Sequence, residues 1–208
     1  MTNDRTELRV TLACGVSRCG KTIFFLRYLV ARTDLVCRFI FDPLGKMAEA
    51  CGLVCAETEA ELELAVEDGW VFFDPATMFP GDDAAGFDWF CRWSYARAQR
   101  LCQPTALLCD EVWMFQSKQK FPQPLACWIQ NGAKYRCEVL LATHDPHKLN
   151  SSLDGQLTEI VCFFLLGDKQ LDYVERLGLS RAEVQSLPNG SFIARDPRTR
   201  GELRGKVF

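Results

Sequence analysis

Long hydrophobic runs are missing from this chain of 208 residues. The nearest approach to one, residues 160–166, is far too short to cross a bilayer and is better interpreted as a buried strand. A charged and then apolar leader is missing as well, because residues 1–7 are polar. We therefore expect a soluble, intracellular protein with no transmembrane segment of its own.

Excess basic charge is also absent, since 24 lysines and arginines stand against 27 acidic residues and the net charge is -3. A general nucleic-acid binder is typically basic, so any contact with DNA has to come from a local patch. The sequence contains no internal repeat, low-complexity tract or linker. Its length and its unbroken organisation predict a single domain over residues 1–208.

The 11 cysteines lack the signs of a disulfide framework or of a zinc site. Their number is odd, several lie in apolar strand patterns, and the closest spacings have no second Cys or His pair at a zinc-like interval. We interpret them as reduced core residues. Cys19 differs from the others, because it lies beside Lys21 at a helix N-terminus. Such a position lowers a thiol pKa. An inert thiol is nevertheless the favoured interpretation.

What the chain does contain is a phosphate-binding pattern at residues 15–22, GVSRCGKT, which matches G-x-x-x-x-G-K-[ST] at every fixed position. An apolar strand at residues 8–14 precedes it and an apolar helix at residues 21–32 follows. Lys21 would reach the β- and γ-phosphates, and the Thr22 hydroxyl would bind Mg²⁺. A chance glycine turn is the alternative. The residues predicted to bind the nucleotide are Gly15, Val16, Ser17, Arg18, Cys19, Gly20, Lys21 and Thr22.

Two adjacent carboxylates follow a second apolar strand, at Asp110 and Glu111 after residues 105–109. This is the form of a Walker B motif. Asp110 would help to hold the Mg²⁺ bound by Thr22, and Glu111 would activate the water that attacks the γ-phosphate. A solvated acidic turn is the alternative interpretation, and the phosphate loop upstream favours the catalytic one.

A third apolar strand, residues 139–143, ends at Thr143 and His144. In a P-loop NTPase with an additional strand, this strand lies between those of the two motifs. Thr143 and His144 would then lie near the γ-phosphate and act as a sensor, with His144 bonded to the attacking water or the released phosphate. A turn residue that touches only solvent is the alternative.

Apolar strand-like runs recur along the whole chain, and helical patterns separate most of them. They occupy residues 36–41, 70–73, 105–109, 139–143, 160–166 and 191–194. Such alternation predicts an α/β fold in which helices cover both faces of a mainly parallel sheet.

Together these motifs resemble the FtsK-HerA superfamily of DNA-pumping ATPases, and in particular the small genome-packaging ATPases of tailless, membrane-containing icosahedral viruses. Three further segments add to the resemblance: FIFDPLG at residues 39–45, GAKY at 132–135 leading into 141–143, and LPNGSF at 187–192. The resemblance implies a RecA/FtsK-HerA-like three-layer P-loop NTPase that uses ATP and Mg²⁺. It also implies a homo-oligomeric ring, expected to be a hexamer, with double-stranded DNA in its channel. The resemblance further implies capsid or viral membrane proteins as partners. It also implies a location in the host cytoplasm or at a virion vertex.

The sequence departs from the family at two positions. His144 stands where the family commonly has Gln, and Ala133 stands where an Arg often follows the glycine equivalent to Gly132. Lys134 and Arg136 are therefore the candidates for a trans-acting residue. The alternatives lie on the helix before residues 105–109, where a solvated helix face also explains them; they are Arg92, Arg97 and Arg100.

Two basic segments are candidates for contact with DNA phosphates. Lys118 and Lys120 follow the Walker B motif and could bind phosphates regardless of sequence, although an exposed polar loop explains them equally well. A C-terminal cluster on a possible closing hairpin could serve DNA or a neighbouring subunit; it comprises Arg195, Arg198, Arg200, Arg204 and Lys206.

Two other classes of function use a phosphate loop in a chain of this length. A nucleotide or metabolite kinase is disfavoured, because Asp110 and Glu111 suit water activation and no Arg-rich lid segment is present. The other class is an assembly factor switched by nucleotide. A GTPase of this kind is disfavoured, because the sequence has no Asn-Lys-x-Asp motif. The preference for ATP follows from the resemblance, since no base-contacting residue is evident.

Overall fold

The structure is a computed structural model that describes residues 9–116 and 121–208. Within these residues the strands form one eight-stranded sheet. The strands are β1 (Arg9–Cys14), β2 (Cys37–Phe41), β3 (Trp70–Phe73), β4 (Thr105–Cys109), β5 (Cys137–Thr143), β6 (Glu159–Cys162), β7 (Ser191–Arg195) and β8 (Glu202–Lys206). The helices are α1 (Lys21–Ala31), α2 (Lys46–Ala50), α3 (Glu59–Asp68), α4 (Asp83–Leu101), α5 (Gln123–Asn131), α6 (Asp168–Arg176) and α7 (Arg181–Gln185).

The strand order across the sheet is β3-β2-β4-β5-β1-β6-β7-β8. Strands β1 to β6 pair in parallel, whereas β7 and β8 are antiparallel to their neighbours. Strand β5 lies between β1 and β4, as predicted for the additional strand. The carboxyl ends of β1, β4 and β5 therefore meet at one edge of the sheet.

Helices cover both faces, because the central strands are apolar on both sides. Leu107 and Cys109 of β4 belong to one core cluster, which also contains residues of α3, α4, α5, α6 and α7. Ala106 and Leu108 belong to the other, with residues of α1 and α2. This arrangement confirms the predicted α/β three-layer sandwich with a mainly parallel sheet. Among the described residues, every helix is too short or too polar to cross a membrane.

Two predicted strand regions differ in detail from the structure. Strand β6 ends at Cys162 and not at residue 166, because the chain beyond it runs along the phosphate loop, where Val16 N–H donates to Phe164 O at 3.0 Å. Strand β8 pairs with β7 and forms the closing hairpin suggested for the C-terminal cluster, but the sequence pattern gives no bounds for it. Most of its residues are exposed, so it carries no hydrophobic alternation that a pattern could detect.

Candidate nucleotide site

The phosphate-binding loop connects β1 to α1 and requires both of its glycines. A Cβ atom at Gly15 would lie 2.6 Å from Cβ of Phe163 and 2.7 Å from Sγ of Cys19. Gly20 has a φ of 111°, in the left-handed region, immediately before the first residue of α1. The loop is therefore pressed against the chain that follows β6, and its backbone is set at the N-terminus of a helix, where anions bind.

The Lys21 side chain is held inside this loop. Its Nζ donates hydrogen bonds to Gly15 O at 2.9 Å and to Val16 O at 3.1 Å, and the residue is only 5% exposed. The ammonium is thus positioned against the backbone that would surround the phosphates, and its contact with them stays a prediction.

Cys19 corrects one expectation. The thiol is buried, at 2% exposure, and burial raises its pKa, although Lys21 acts in the opposite direction. The setting at a helix N-terminus beside a lysine, which suggested a lowered pKa, is outweighed by desolvation. The structure agrees with the favoured interpretation of an inert thiol, and all cysteines are free.

The two motifs meet at Thr22 and Asp110. The Thr22 hydroxyl donates to Asp110 Oδ2 at 2.7 Å, and the other oxygen, Oδ1, accepts the Glu111 backbone N–H at 2.9 Å. A hydroxyl and a carboxylate oxygen side by side are the hard ligands that Mg²⁺ prefers, so these residues fit the ion. They open into a cavity of about 220 Å³ that is also lined by Asp42, Lys46 and Glu111.

Glu111 is held by the ends of two strands. Its backbone has a φ of 47°, in the left-handed region, which is uncommon for a residue with a side chain. Its Oε2 accepts hydrogen bonds from His144 Nδ1 at 2.7 Å, from His144 N at 3.2 Å and from Trp113 Nε1 at 3.0 Å. The carboxylate of β4 is therefore fixed against the end of β5.

Beyond His144, a polar network links this carboxylate to α6. Gln170 Nε2 donates to His144 O at 2.8 Å and to Asp145 Oδ1 at 2.9 Å. Lys148 pairs with Asp145 Oδ2 at 2.6 Å and lies 4.0 Å from the centre of the Trp113 ring. Burial raises the pKa of Asp145, but the hydrogen bonds from Lys148 and Gln170 outweigh it and the pKa is lowered overall.

Thr143 lies at the same strand end but is fully buried. Its Oγ1 accepts the Asp145 N–H at 3.0 Å, so the residue shapes the turn after β5. Its role as a sensor, and that of His144, remain predictions. Sequence reasoning missed Trp113, Lys148 and Gln170. Trp113 lies two residues after Glu111 in a 3₁₀ turn at Val112–Phe115, and no spacing rule signals its contact.

The candidates for a trans-acting residue lie elsewhere. Lys134 and Arg136 precede β5, whereas the site lies beyond its other end. Since β5 has 7 residues and an extended strand rises about 3.3 Å per residue, the separation is about 20 Å. On α4, Arg97 donates to Glu63 at 3.0 Å and stacks over Trp93. Arg92 pairs with Asp88 at the surface.

The candidates for DNA contact can be placed only in part. Lys118 and Lys120 lie outside the described residues. In the C-terminal cluster, Arg195 pairs with Glu202 and Arg204 with Glu183. The remaining members are exposed on the hairpin of β7 and β8; they are Arg198, Arg200 and Lys206.

The fold and the loop geometry define the architecture of a P-loop NTPase. The chain matches no protein-family model and no curated protein sequence. Its structure is similar to the genome packaging NTPase B204 from Sulfolobus turreted icosahedral virus 2 in complex with AMPPCP, with a TM-score of 0.74 and 15% identity over 95% of this chain and 97% of that one. It is also similar to VirB4 of Thermoanaerobacter pseudethanolicus, with a TM-score of 0.66 and 13% identity over 96% and 89% of the two chains.

A third similar structure is the cytoplasmic domain of the type VII secretion ATPase EccC of Thermomonospora curvata, with a TM-score of 0.61 and 14% identity. It covers 95% of this chain but 25% of that one. At such identities the similarities show the fold. They confirm, at that level, the resemblance to viral genome-packaging ATPases that the sequence predicts.

Proposed function

We propose that this chain is a Mg²⁺-dependent ATPase that drives double-stranded DNA into a preformed viral capsid. The observation that carries the proposal is the convergence of Thr22, in the first turn of α1, with Asp110, Glu111 and His144 at the ends of β4 and β5. The similarity of the fold to a genome packaging NTPase bound to AMPPCP supports it.

Each side chain has a part in hydrolysis. The loop N–H groups and Lys21 would bind the phosphate oxygens, while Thr22 and Asp110 would hold Mg²⁺. The bound ion would neutralise charge on the β- and γ-phosphates. Glu111 would take a proton from the attacking water, and His144 would keep the Glu111 carboxylate in place through its ring N–H.

The proposed assembly is a homo-oligomeric ring, a hexamer by analogy, around the DNA. In it Lys134 and Arg136 would act on the site of a neighbouring subunit, and Lys118 and Lys120 would contact DNA phosphates. Capsid or viral membrane proteins would anchor the ring in the host cytoplasm or at the virion vertex. Each subunit of the ring would be the single domain predicted over residues 1–208.

The test is steady-state ATP hydrolysis with and without double-stranded DNA, with the oligomer size measured in the same samples. We expect DNA to stimulate hydrolysis, and Glu111→Gln to lower turnover by about a hundredfold or more while ATP still binds. Glu67→Gln, on the exposed side of α3, is the matched control and should behave as wild type.

Unchanged turnover in Glu111→Gln would remove that residue from the role. Turnover that ignores DNA and rises with a phosphoryl acceptor would instead favour the kinase alternative. Nucleotide binding without turnover would favour the assembly factor switched by nucleotide.

A further inference from the structure

The position of Asp110 indicates the direction in which a bound nucleotide would lie. Because Asp110 accepts a hydrogen bond from Thr22, a metal held by these two residues, and the terminal phosphate with it, would lie on the β4 and β5 side of the loop. The other side of β1 is occupied by β6, β7 and β8. If the chain binds a nucleoside triphosphate, as proposed above, its base therefore extends toward β6, β7 and β8.

An aromatic ring stands on that side, next to the loop. A Cβ atom at Gly20 would lie 3.3 Å from Cε1 of Phe208. One at Gly190 would lie 2.7 Å from Cε2, 2.9 Å from Cδ2 and 3.0 Å from Cζ of the same ring. The ring thus rests on the backbone of Gly190, yet Phe208 is 52% exposed. A large part of its surface faces solvent beside the phosphate-binding loop.

The ring is also held in position by its neighbour in sequence. Val207 N donates to Gly190 O at 2.8 Å, and Arg27 Nη1 of α1 donates to Val207 O. The Val207 side chain is buried in the core cluster that includes α1. Both the helix that carries Lys21 and the turn at Gly190 therefore fix where the Phe208 ring lies.

We propose that the Phe208 ring is the stacking surface for the purine base of the bound nucleoside triphosphate. Every base has a π-face, so stacking contributes affinity with little selectivity among bases. This agrees with the absence of a base-reading motif in the sequence. ATP and GTP should accordingly bind with similar affinity, and both should depend on Phe208.

The experiment compares the binding of ATP with that of inorganic tripolyphosphate, which has no base, by calorimetry in the presence of Mg²⁺. For Phe208→Ala we expect ATP to bind about tenfold more weakly and tripolyphosphate to bind as it does to wild type. Phe208→Trp should retain ATP affinity. Leu203→Ala is the matched control, because Leu203 is 66% exposed on β8 and pairs with Ala194 of β7.

Equal weakening of both ligands by Phe208→Ala would mean damage to the loop and would overturn the proposal, as would unchanged ATP binding. Wild-type protein that binds ATP no more tightly than tripolyphosphate would overturn the base site alone and leave the proposed ATPase intact. Wild-type protein that binds neither ligand would overturn both.

Discussion

The Glu111 carboxylate shows how a single side chain is oriented at this candidate site. Three hydrogen bonds converge on one of its oxygens, from two atoms of His144 and from the Trp113 indole. A general base has to be held within hydrogen-bonding distance of the attacking water. Hydrogen bonds of this kind orient a carboxylate that lies on a short turn. If Glu111 is the general base proposed above, Trp113 is a positioning residue for it.

Trp113→Phe should lower the turnover of ATP by about tenfold, because one hydrogen bond to a charged group is lost and His144 remains. Its ATP affinity should stay at the wild-type value, since the indole bonds to Glu111 and packs against His144 and Lys148. Steady-state kinetics together with direct binding separate the two quantities. Trp89→Phe, which changes a partly buried indole on α4, is the control. A rise in the dissociation constant with unchanged turnover would contradict the positioning role.

At this scale the sequence predicted the residues with fixed spacing and missed those without it. Lys21, Thr22 and Asp110 belong to patterns that binding of phosphate and Mg²⁺ would explain, and the structure brings Thr22 and Asp110 together. The Trp113 contact depends on how a 3₁₀ turn is oriented against β5. The pKa of Cys19 depends on its burial, which spacing does not report.

Among the elements, α2 depends on one buried carboxylate. The helix is only 5 residues long, and Asp42 Oδ2 accepts the backbone N–H groups of Met47 at 2.8 Å and of Ala48 at 2.9 Å. Asp42 is 2% exposed, and burial raises its pKa above the ordinary 3.8 even though these N–H groups favour the ionised form. The ionised form of Asp42 is therefore less favourable in the folded state than in water.

This raised pKa predicts the sign of a pH effect. The folded state retains the Asp42 proton to a higher pH than the unfolded chain, which titrates near 3.8. The stabilisation from this group is therefore complete below that pH and is lost as the pH rises through the folded-state value. Asp42→Asn keeps a carbonyl acceptor but cannot ionise.

The free energy of unfolding of wild type minus that of Asp42→Asn should consequently decrease as the pH rises from 3.8 and then level off. Denaturant unfolding of both proteins across that range measures the difference. Asp83→Asn, an exposed carboxylate in the first turn of α4, serves as the control. A difference that grows with pH would show that the N–H groups outweigh burial.

The sequence predicted the apolar elements well and the polar ones poorly. Strands β3 and β4 have the predicted bounds, because continuous apolar runs between turns identify buried parallel strands. The exposed edge strand β8 has no such run. The sequence identifies residues 39–45 as the end of a strand, whereas the cap that Asp42 makes on α2 depends on tertiary structure that the pattern does not report.

Over the whole molecule, the sheet separates two polar regions. The carboxyl ends of the parallel strands carry the candidate nucleotide site. The opposite ends carry a charged network in which Tyr28 donates to Glu138 at 2.5 Å and Arg9 pairs with Glu159 at 2.7 Å. That network ties the C-terminal half of α1 to β1, β5 and β6, so the helix that bears Lys21 is anchored at the end far from the phosphates.

The distance between the two ends of the sheet also limits what Lys134 and Arg136 can contact in their own chain. They lie about 20 Å from the site of their own chain, and among the described residues the hydrogen bonds to Asp110 and Glu111 come from donors other than arginine. A cation that stabilises the transferred phosphoryl group has to come close to it. If these residues have that role, they perform it on a neighbouring subunit.

Mixing two inactive variants tests this. The double variant Lys134→Ala, Arg136→Ala keeps Glu111 but loses the trans residues, whereas Glu111→Gln keeps the trans residues but loses the base. Each should be inactive alone. In rings mixed at equal amounts, about a quarter of the subunit junctions combine an intact Glu111 with an intact neighbour, as expected for head-to-tail contacts. Hydrolysis should recover to that fraction of the wild-type rate, with DNA present. Inactive mixtures, or a double variant that is active alone, would place the trans residue elsewhere in the chain.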